Sequence, residues 1–253
     1  SFVLNLIMIL ICIISLILEI IDIHRNPESV YQTVWGLFRY FTIDGNLLSL
    51  VFNIIIAIKQ IKALKAPSTE DIRPLINTHF LYIISLMSAC TDLVIFIVVV
   101  VIFMPMADST WQLGLVGSFN ASSFHITIPI LLNLRFIFLD VRERVFRFYE
   151  KLYGGIPMCL YGVIMFILCG AKVFKSFNKD EGDGKIPYPF LDVYHQSWWF
   201  CTFCALFIFV FGFGIGFLLD FLNKKCQNLI FPYTPKENVG LENNDNDIVN
   251  QEE

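Results

Sequence analysis

The chain has 253 residues, of which 56% are hydrophobic and only 16% charged, and its mean hydropathy is +0.66. A soluble domain averages about 45–50% apolar and about 25% charged, and here the apolar residues gather into runs of roughly 20, long enough to cross a hydrocarbon core. That pattern excludes a soluble enzyme, a nucleic-acid binder and a secreted disulfide scaffold. The formal net charge of -4 comes largely from an acidic tail. Cys12, Cys90, Cys159, Cys169, Cys201 and Cys204 lie in apolar runs, where cysteine acts as a small hydrophobe. The expected fold class is all-α: a polytopic membrane protein with six transmembrane helices in one bundle.

The first run extends from Phe2 to Ile23 and is stopped by His24, Arg25 and Asn26-Pro27. It is longer than a leader and lacks a small-residue cleavage motif, so a retained span is expected. A second run covers Arg39 to Ile61 and a third Phe80 to Phe103. The fourth starts near Trp111 and ends between Leu134 and Leu139, the fifth covers Pro157 to Phe174, and the sixth Ser197 to Phe221. Strand-period alternation is absent, which excludes a β-barrel. Phe136 to Tyr153 interleaves aromatics with charges, so it reads as an extension of span four on the cytosolic interface. That extension would touch anionic lipid or simply connect two spans. Residues 1–235 thus form one transmembrane domain. Lys236 to Glu253, rich in Asn and acidic residues, is expected to be a disordered cytosolic tail.

Basic residues orient the spans. Lys59, Lys62, Lys65, Arg73, Arg135, Arg142, Arg144, Arg147, Lys151, Lys224, Lys225 and Lys236 fall on one side. Arg25, Arg39, Lys172, Lys175, Lys179 and Lys185 fall on the other, diluted by Asp180, Glu181 and Asp183. Both termini are therefore expected in the cytosol.

Polar residues inside the spans carry the functional signal, because an ionisable group at the bilayer centre costs about 2.5–3.5 kcal/mol on insertion scales. Asp92 sits near the middle of span three, and His125 lies well inside span four. Thr42 and Asn46 are four apart at the head of span two and so share a helical face. Each could be hydrogen-bonding glue between helices. Together, a hydroxyl, a histidine and a carboxylate are the inventory of nucleophile, general base and orienter. Asp92 would pair either with His125, fixing its tautomer, or with Arg135, clamping spans three and four. Asn46, one turn from Thr42, is a candidate oxyanion donor. Cys201-Thr-Phe-Cys204 has zinc-like spacing but lies in an apolar run without a second ligand pair, so no metal is assigned. Gly212 and Gly216 form a small-residue packing face. Two prolines bar a helix across Ile186-Pro-Tyr-Pro-Phe-Leu-Asp192. This loop would fold over the bundle mouth with Tyr188 or Phe190 inward, or anchor at the interface beside Trp198 and Trp199.

Three motifs occur in order: Phe38-Arg-Tyr-Phe-Thr-Ile-Asp-Gly-Asn-Leu-Leu48, Ser123-Phe-His-Ile-Thr-Ile-Pro129 and Pro187-Tyr-Pro-Phe-Leu-Asp192. With them the chain resembles the androgen-induced protein/FAR-17a superfamily over residues 1–225, and its last motif is most similar to the Pr6Pr membrane proteins. The resemblance implies a six-span fold. It also implies an intramembrane threonine hydrolase of lipid esters, akin to those cleaving fatty acid esters of hydroxy fatty acids, with Thr42 as nucleophile and His125 as base. The spacing from His125 to Pro129 and the loop ending at Asp192 set the chain apart from the hydrolase branch. No cofactor is implied, and the partners are a lipid substrate and the bilayer of the plasma membrane or endoplasmic reticulum. The competing expectation is a transporter or lipid-binding protein using the same polar residues.

Depth tests the Thr–His pairing. At 1.5 Å per residue, Thr42 lies ~26 Å above the cytosolic boundary. His125 lies ~15 Å above it if span four ends at Arg135, and ~22 Å if it ends at Asp140 with Arg135 turned into the bundle. The charge bias makes its own prediction. A Lys179→Cys variant should react with an impermeant maleimide from the lumenal or external side, and reaction from the cytosolic side alone would refute the orientation.

Overall fold

The computed structural model describes residues 2–25, 34–65, 79–106, 118–140, 146–171, 173–174, 186–188 and 191–230. The acidic tail, Trp111, Lys179 and Phe190 lie outside them. Six helical segments among the described residues are long and apolar enough to cross a membrane: α1 (Phe2–Arg25), α2 (Phe41–Leu64), α3 (His79–Phe96, with its continuation to Val101), α4 (Phe119–Phe138), α5 (Ile156–Gly170, together with the 3-10 run that begins at Phe148) and α6 (Trp198–Ile230). The protein is an all-α, multi-pass membrane protein.

The spans depart from regular α-helix in places, each for a local reason. α3 reaches Phe103, the end expected from the sequence, through a π-helical segment, Ile97–Phe103. α4 is α-helical at both ends with a π turn, Ser123–Thr127, between them. Pro129 explains that turn: it cannot donate to the carbonyl four residues back, and its ring crowds it. The ladder widens instead, so that the Ile128 amide donates to the Ser123 carbonyl. Phe148–Gly155 is not an interfacial extension of span four. It is a 3-10 run leading directly into α5, with Glu150, Gly154 and Gly155 buried. Glu150 accepts from the Arg147 amide at 2.7 Å and contacts the His79 ring at 3.0 Å. Glycine is required here because a Cβ on Gly154 would strike Cys90, and one on Gly216 would strike the Lys151 carbonyl. Gly212 likewise faces Met158, so the α6 glycines do form the close-packed face against this segment and α5.

The outside of the bundle is apolar, and its inside combines apolar clusters with the polar residues of the spans. The inward face of α1 carries Asn5, Cys12, Ser15 and Glu19, whereas Val3, Leu10 and Ile17 are exposed. In α2 the buried set includes Thr42, Asn46, Ser49, Asn53 and Gln60, at three- and four-residue spacing. Lipid provides no hydrophobic drive between helices, so close packing and interhelical hydrogen bonds must hold them together.

The strongest of those bonds converge on Arg135, which is fully buried in α4. Its Nε donates to Asp140 Oδ2 at 3.3 Å and its Nη2 to Ser85 Oγ at 2.6 Å. Its Nη1 donates to both Asn5 and Asn53. Asn5 in turn donates to Gln60 at 2.8 Å. One guanidinium thus ties α1, α2, α3 and the end of α4. α6 completes the set by supplying partners for the carbonyls that the end of α4 leaves free: Asn223 Nδ2 donates to the Phe136 and Asp140 carbonyls at 2.7 and 2.9 Å, and Gln227 to that of Phe138 at 3.3 Å. Removing one partner of a buried ionic network costs about 3–5 kcal/mol. An Arg135→Leu variant should lose stability of that order, visible as a large drop in detergent-solubilised melting temperature and folded yield.

Candidate functional site

The site is built at the start of α2. A 3-10 turn, Val34–Arg39, leads to Tyr40, whose extended backbone (φ −105°, ψ 123°) starts the helix without a side-chain cap. The first amides of a helix need partners from elsewhere. Tyr188, arriving from the loop before α6, supplies one: its phenol oxygen accepts from the Thr42 hydroxyl and from the backbone at Phe41 and Thr42. Its ring packs edge-on against Tyr40 at 6.1 Å and Tyr161 at 6.5 Å. Burial pushes the Tyr188 phenol well above its ordinary pKa, so at neutral pH it keeps its proton. The rest of the loop sits on protein: Ile186 and Leu191 are buried in a cluster with Met165 and Cys169 of α5.

Thr42 and Tyr188 face a cavity of about 70 Å³ among α2, α3, α5 and α6. Its walls are apolar, including Val94, Val98, Met158, Phe166, Leu191 and Phe209. The hydroxyls on that lining belong to Thr42, Tyr161 and Tyr188, and Tyr161 donates its own to the Arg39 carbonyl at 2.6 Å. Phe41 and Tyr161 separate it from a second, larger cavity of about 300 Å³ that Arg39 and Asp44 help to line.

His125 occupies the π turn of α4. Its Nδ1 lies 2.8 Å from the Ala121 carbonyl. A neutral ring must donate from Nδ1 there, which leaves Nε2 as the acceptor. Asn46 joins the two helices, donating to the Thr42 carbonyl at 2.7 Å and the Phe124 carbonyl at 3.2 Å. Both amide hydrogens are thereby engaged, so Asn46 holds the site and has none to offer an oxyanion. The same bonds set the depths: Asn46 lies level with Phe124, Thr42 is one turn (~6 Å) nearer the helix start, and His125 is one residue deeper. Arg135 is turned into the bundle, as the deeper placement of span four requires. Even so, the hydroxyl of Thr42 bonds to Tyr188 and the ring of His125 to Ala121; in this state the two are not bonded to each other.

Asp92 makes no hydrogen bond or salt bridge with His125 or Arg135, although the charge of Arg135 acts on it from a distance. Fully buried, it accepts from Ser49 Oγ at 2.7 Å, and Ser49 accepts from Ser88 at 2.7 Å. The ionic partner of Arg135 is instead Asp140. Asp192 is buried at the lid's end, where it contacts His195 Nδ1 at 2.9 Å and accepts from the His195 amide at 3.3 Å. The roles of Tyr161, Ser49 and His195 were not found by sequence reasoning. The spacing Asp192-x-x-His195 could have flagged the last, whereas an aromatic and a serine in apolar helices give no signal. Among the described residues, no group of three or more His, Cys, Asp or Glu side chains is arranged to hold a metal ion.

Comparison with known proteins finds no matching family model, no similar curated protein and no similar solved structure. The geometry alone predicts the behaviour of Asp92. Asp92→Asn keeps an oxygen to accept from Ser49, so folded yield and melting temperature should stay near wild type. A large loss of folded yield would refute this placement.

Proposed function

We propose that this protein is an intramembrane hydrolase of lipid esters, with Thr42 as nucleophile and His125 as general base. One observation carries the reading: the Thr42 hydroxyl stands at the polar end of an apolar cavity, beside a second hydroxyl. An acyl chain entering between the helices widens the apolar part and brings its ester carbonyl to Thr42. Thr42 Oγ attacks the carbonyl carbon while its proton passes to His125 Nε2, and the tetrahedral intermediate collapses as His125 protonates the departing alcohol. Water then attacks the acyl-threonine, giving a proton to His125, which returns one to Thr42 as the fatty acid leaves. Catalytic hydrogen bonds that are long in an empty site tighten when substrate binds. The π turn holding His125 gives that helix its local freedom to close. The resemblance of the motifs around Thr42 and His125 to the androgen-induced protein/FAR-17a superfamily supports the same assignment. The basic-residue bias places the site toward the outer or lumenal leaflet.

A second reading has one observation in its favour: Thr42 bonds to Tyr188 rather than to His125. On that reading the cavity binds or carries a lipid without cleaving it. A fluorophosphonate probe separates the two, since capture at Thr42 requires an activated nucleophile, while retention of lipid without capture indicates binding alone. Under the hydrolase reading, Thr42→Ala and His125→Ala should each lower kcat on a long-chain ester by about 10⁴–10⁶, and the double variant should lose little more. Full activity in either single variant would exclude the assignment.

A further inference from the structure

Hydrolysis at Thr42 would need a donor for the carbonyl oxygen as it becomes an oxyanion, and Asn46 cannot provide it because Phe124 and the Thr42 carbonyl hold both of its amide hydrogens. Tyr161, the other aromatic hydroxyl on the cavity wall, is engaged by the Arg39 carbonyl at 2.6 Å. Tyr188 remains. Its hydroxyl meets Thr42 itself, and its ring is held between Tyr40 and Tyr161. Ile186 and Leu191 on either side are buried against α5, so the backbone that presents it is fixed on protein.

Resting on the hydrolase reading above, we propose that Tyr188 is a catalytic residue, the oxyanion donor that stabilises the tetrahedral intermediate formed at Thr42. The Thr42 hydroxyl donates to the Tyr188 oxygen. When an ester carbonyl enters beside Thr42, its oxygen accepts from the Tyr188 O–H, and the Thr42 hydroxyl turns from the phenol oxygen toward His125. As Thr42 Oγ bonds to the carbonyl carbon, the π electrons move to the carbonyl oxygen and Tyr188 O–H donates to it. The proton stays on the phenol throughout, and His125 alone carries the transferred proton. A preorganised donor of this kind adds most where water is excluded, as it is in a cavity walled by Val94, Val98 and Phe209. The high phenol pKa that burial produces suits a donor and disqualifies Tyr188 as a base. The lid loop therefore brings chemistry as well as cover, and the site is complete only when it is seated.

The test uses the full chain in detergent micelles with a 4-nitrophenyl long-chain ester. Tyr188→Phe should lower kcat by about 10²–10³, the loss typical of one oxyanion donor, while KM changes little. Fluorotyrosine at position 188 provides an isosteric variant that keeps the lid packing. Its more acidic phenol is a stronger donor, so kcat should change while KM and melting temperature hold, an effect that a merely structural Tyr188 would not produce. Wild-type kcat in Tyr188→Phe together with an inactive Thr42→Ala would overturn the Tyr188 assignment and leave the nucleophile standing. An unchanged kcat in the fluorotyrosine protein would overturn it as well. Full activity in Thr42→Ala would overturn the hydrolase reading, and this proposal with it.

Discussion

The fold turns on one buried guanidinium. An arginine within a bilayer-spanning helix is tolerated only if its hydrogens and its charge are satisfied inside the protein. Arg135 meets that demand with oxygens from three other helices and from Asp140 at the end of its own. The requirement runs both ways, since Asn5, Asn53 and Ser85 would be equally out of place facing hydrocarbon. The inward stripes of α1 and α2 follow from it: polar residues at three- and four-residue spacing point at the charge, and the remaining surface is left to aliphatic side chains. α6 extends past the others because its last turns, with Asn223 and Gln227, supply donors for the carbonyls at the end of α4.

Proline shapes the opposite end of the same helix. Pro129 opens the turn that carries His125, while Asn46 pins the neighbouring Phe124 carbonyl to α2. The prolines of the loop before α6 have a different effect. They deny it a helix, so Ile186 and Leu191 must bury themselves against α5, and Tyr188 then reaches the uncapped start of α2. Thr42 is thus met from one side by a rigid element and from the other by a lid. Both arrangements arise where the regular hydrogen-bond ladder fails.

Much of this was legible in the sequence. Apolar runs of roughly 20 residues give the six spans because the bilayer fixes their length. Asp92, His125 and Arg135 stand out because each is costly in hydrocarbon. Partner choice was not legible, since it depends on which turn of one helix faces which turn of another. Asp92 found Ser49, one turn along α2 from the expected site, and serine is too common in spans to have been singled out. The 3-10 segment Phe148–Gly155 was misread because its aromatics and charges mimic an interfacial helix. Its burial depends on Gly154 and on Gly216, a residue far away in sequence. The depth of His125 was readable only once Arg135 was turned inward, a choice the sequence offered without deciding.

The clamp and the site also divide the bundle along its axis. Ten residues of α4 separate Arg135 from His125, and eleven residues of α2 separate Asn53 from Thr42, about 15 Å in each case. Between them, Asp92, Ser49 and Ser88 form a short polar bridge from α3 to α2. The charge-assisted bonds that hold four helices therefore lie in one half of the membrane. In the other half, α2 and α4 are joined by one asparagine and α1 and α4 by Glu19 and Asn120, and the cavity walls are mostly apolar side chains. A lipid entering from the membrane would have to part helices only in that weaker half. The strong end would keep their register while they move. A buried charge that would only burden a uniformly packed bundle here leaves the site end free to open.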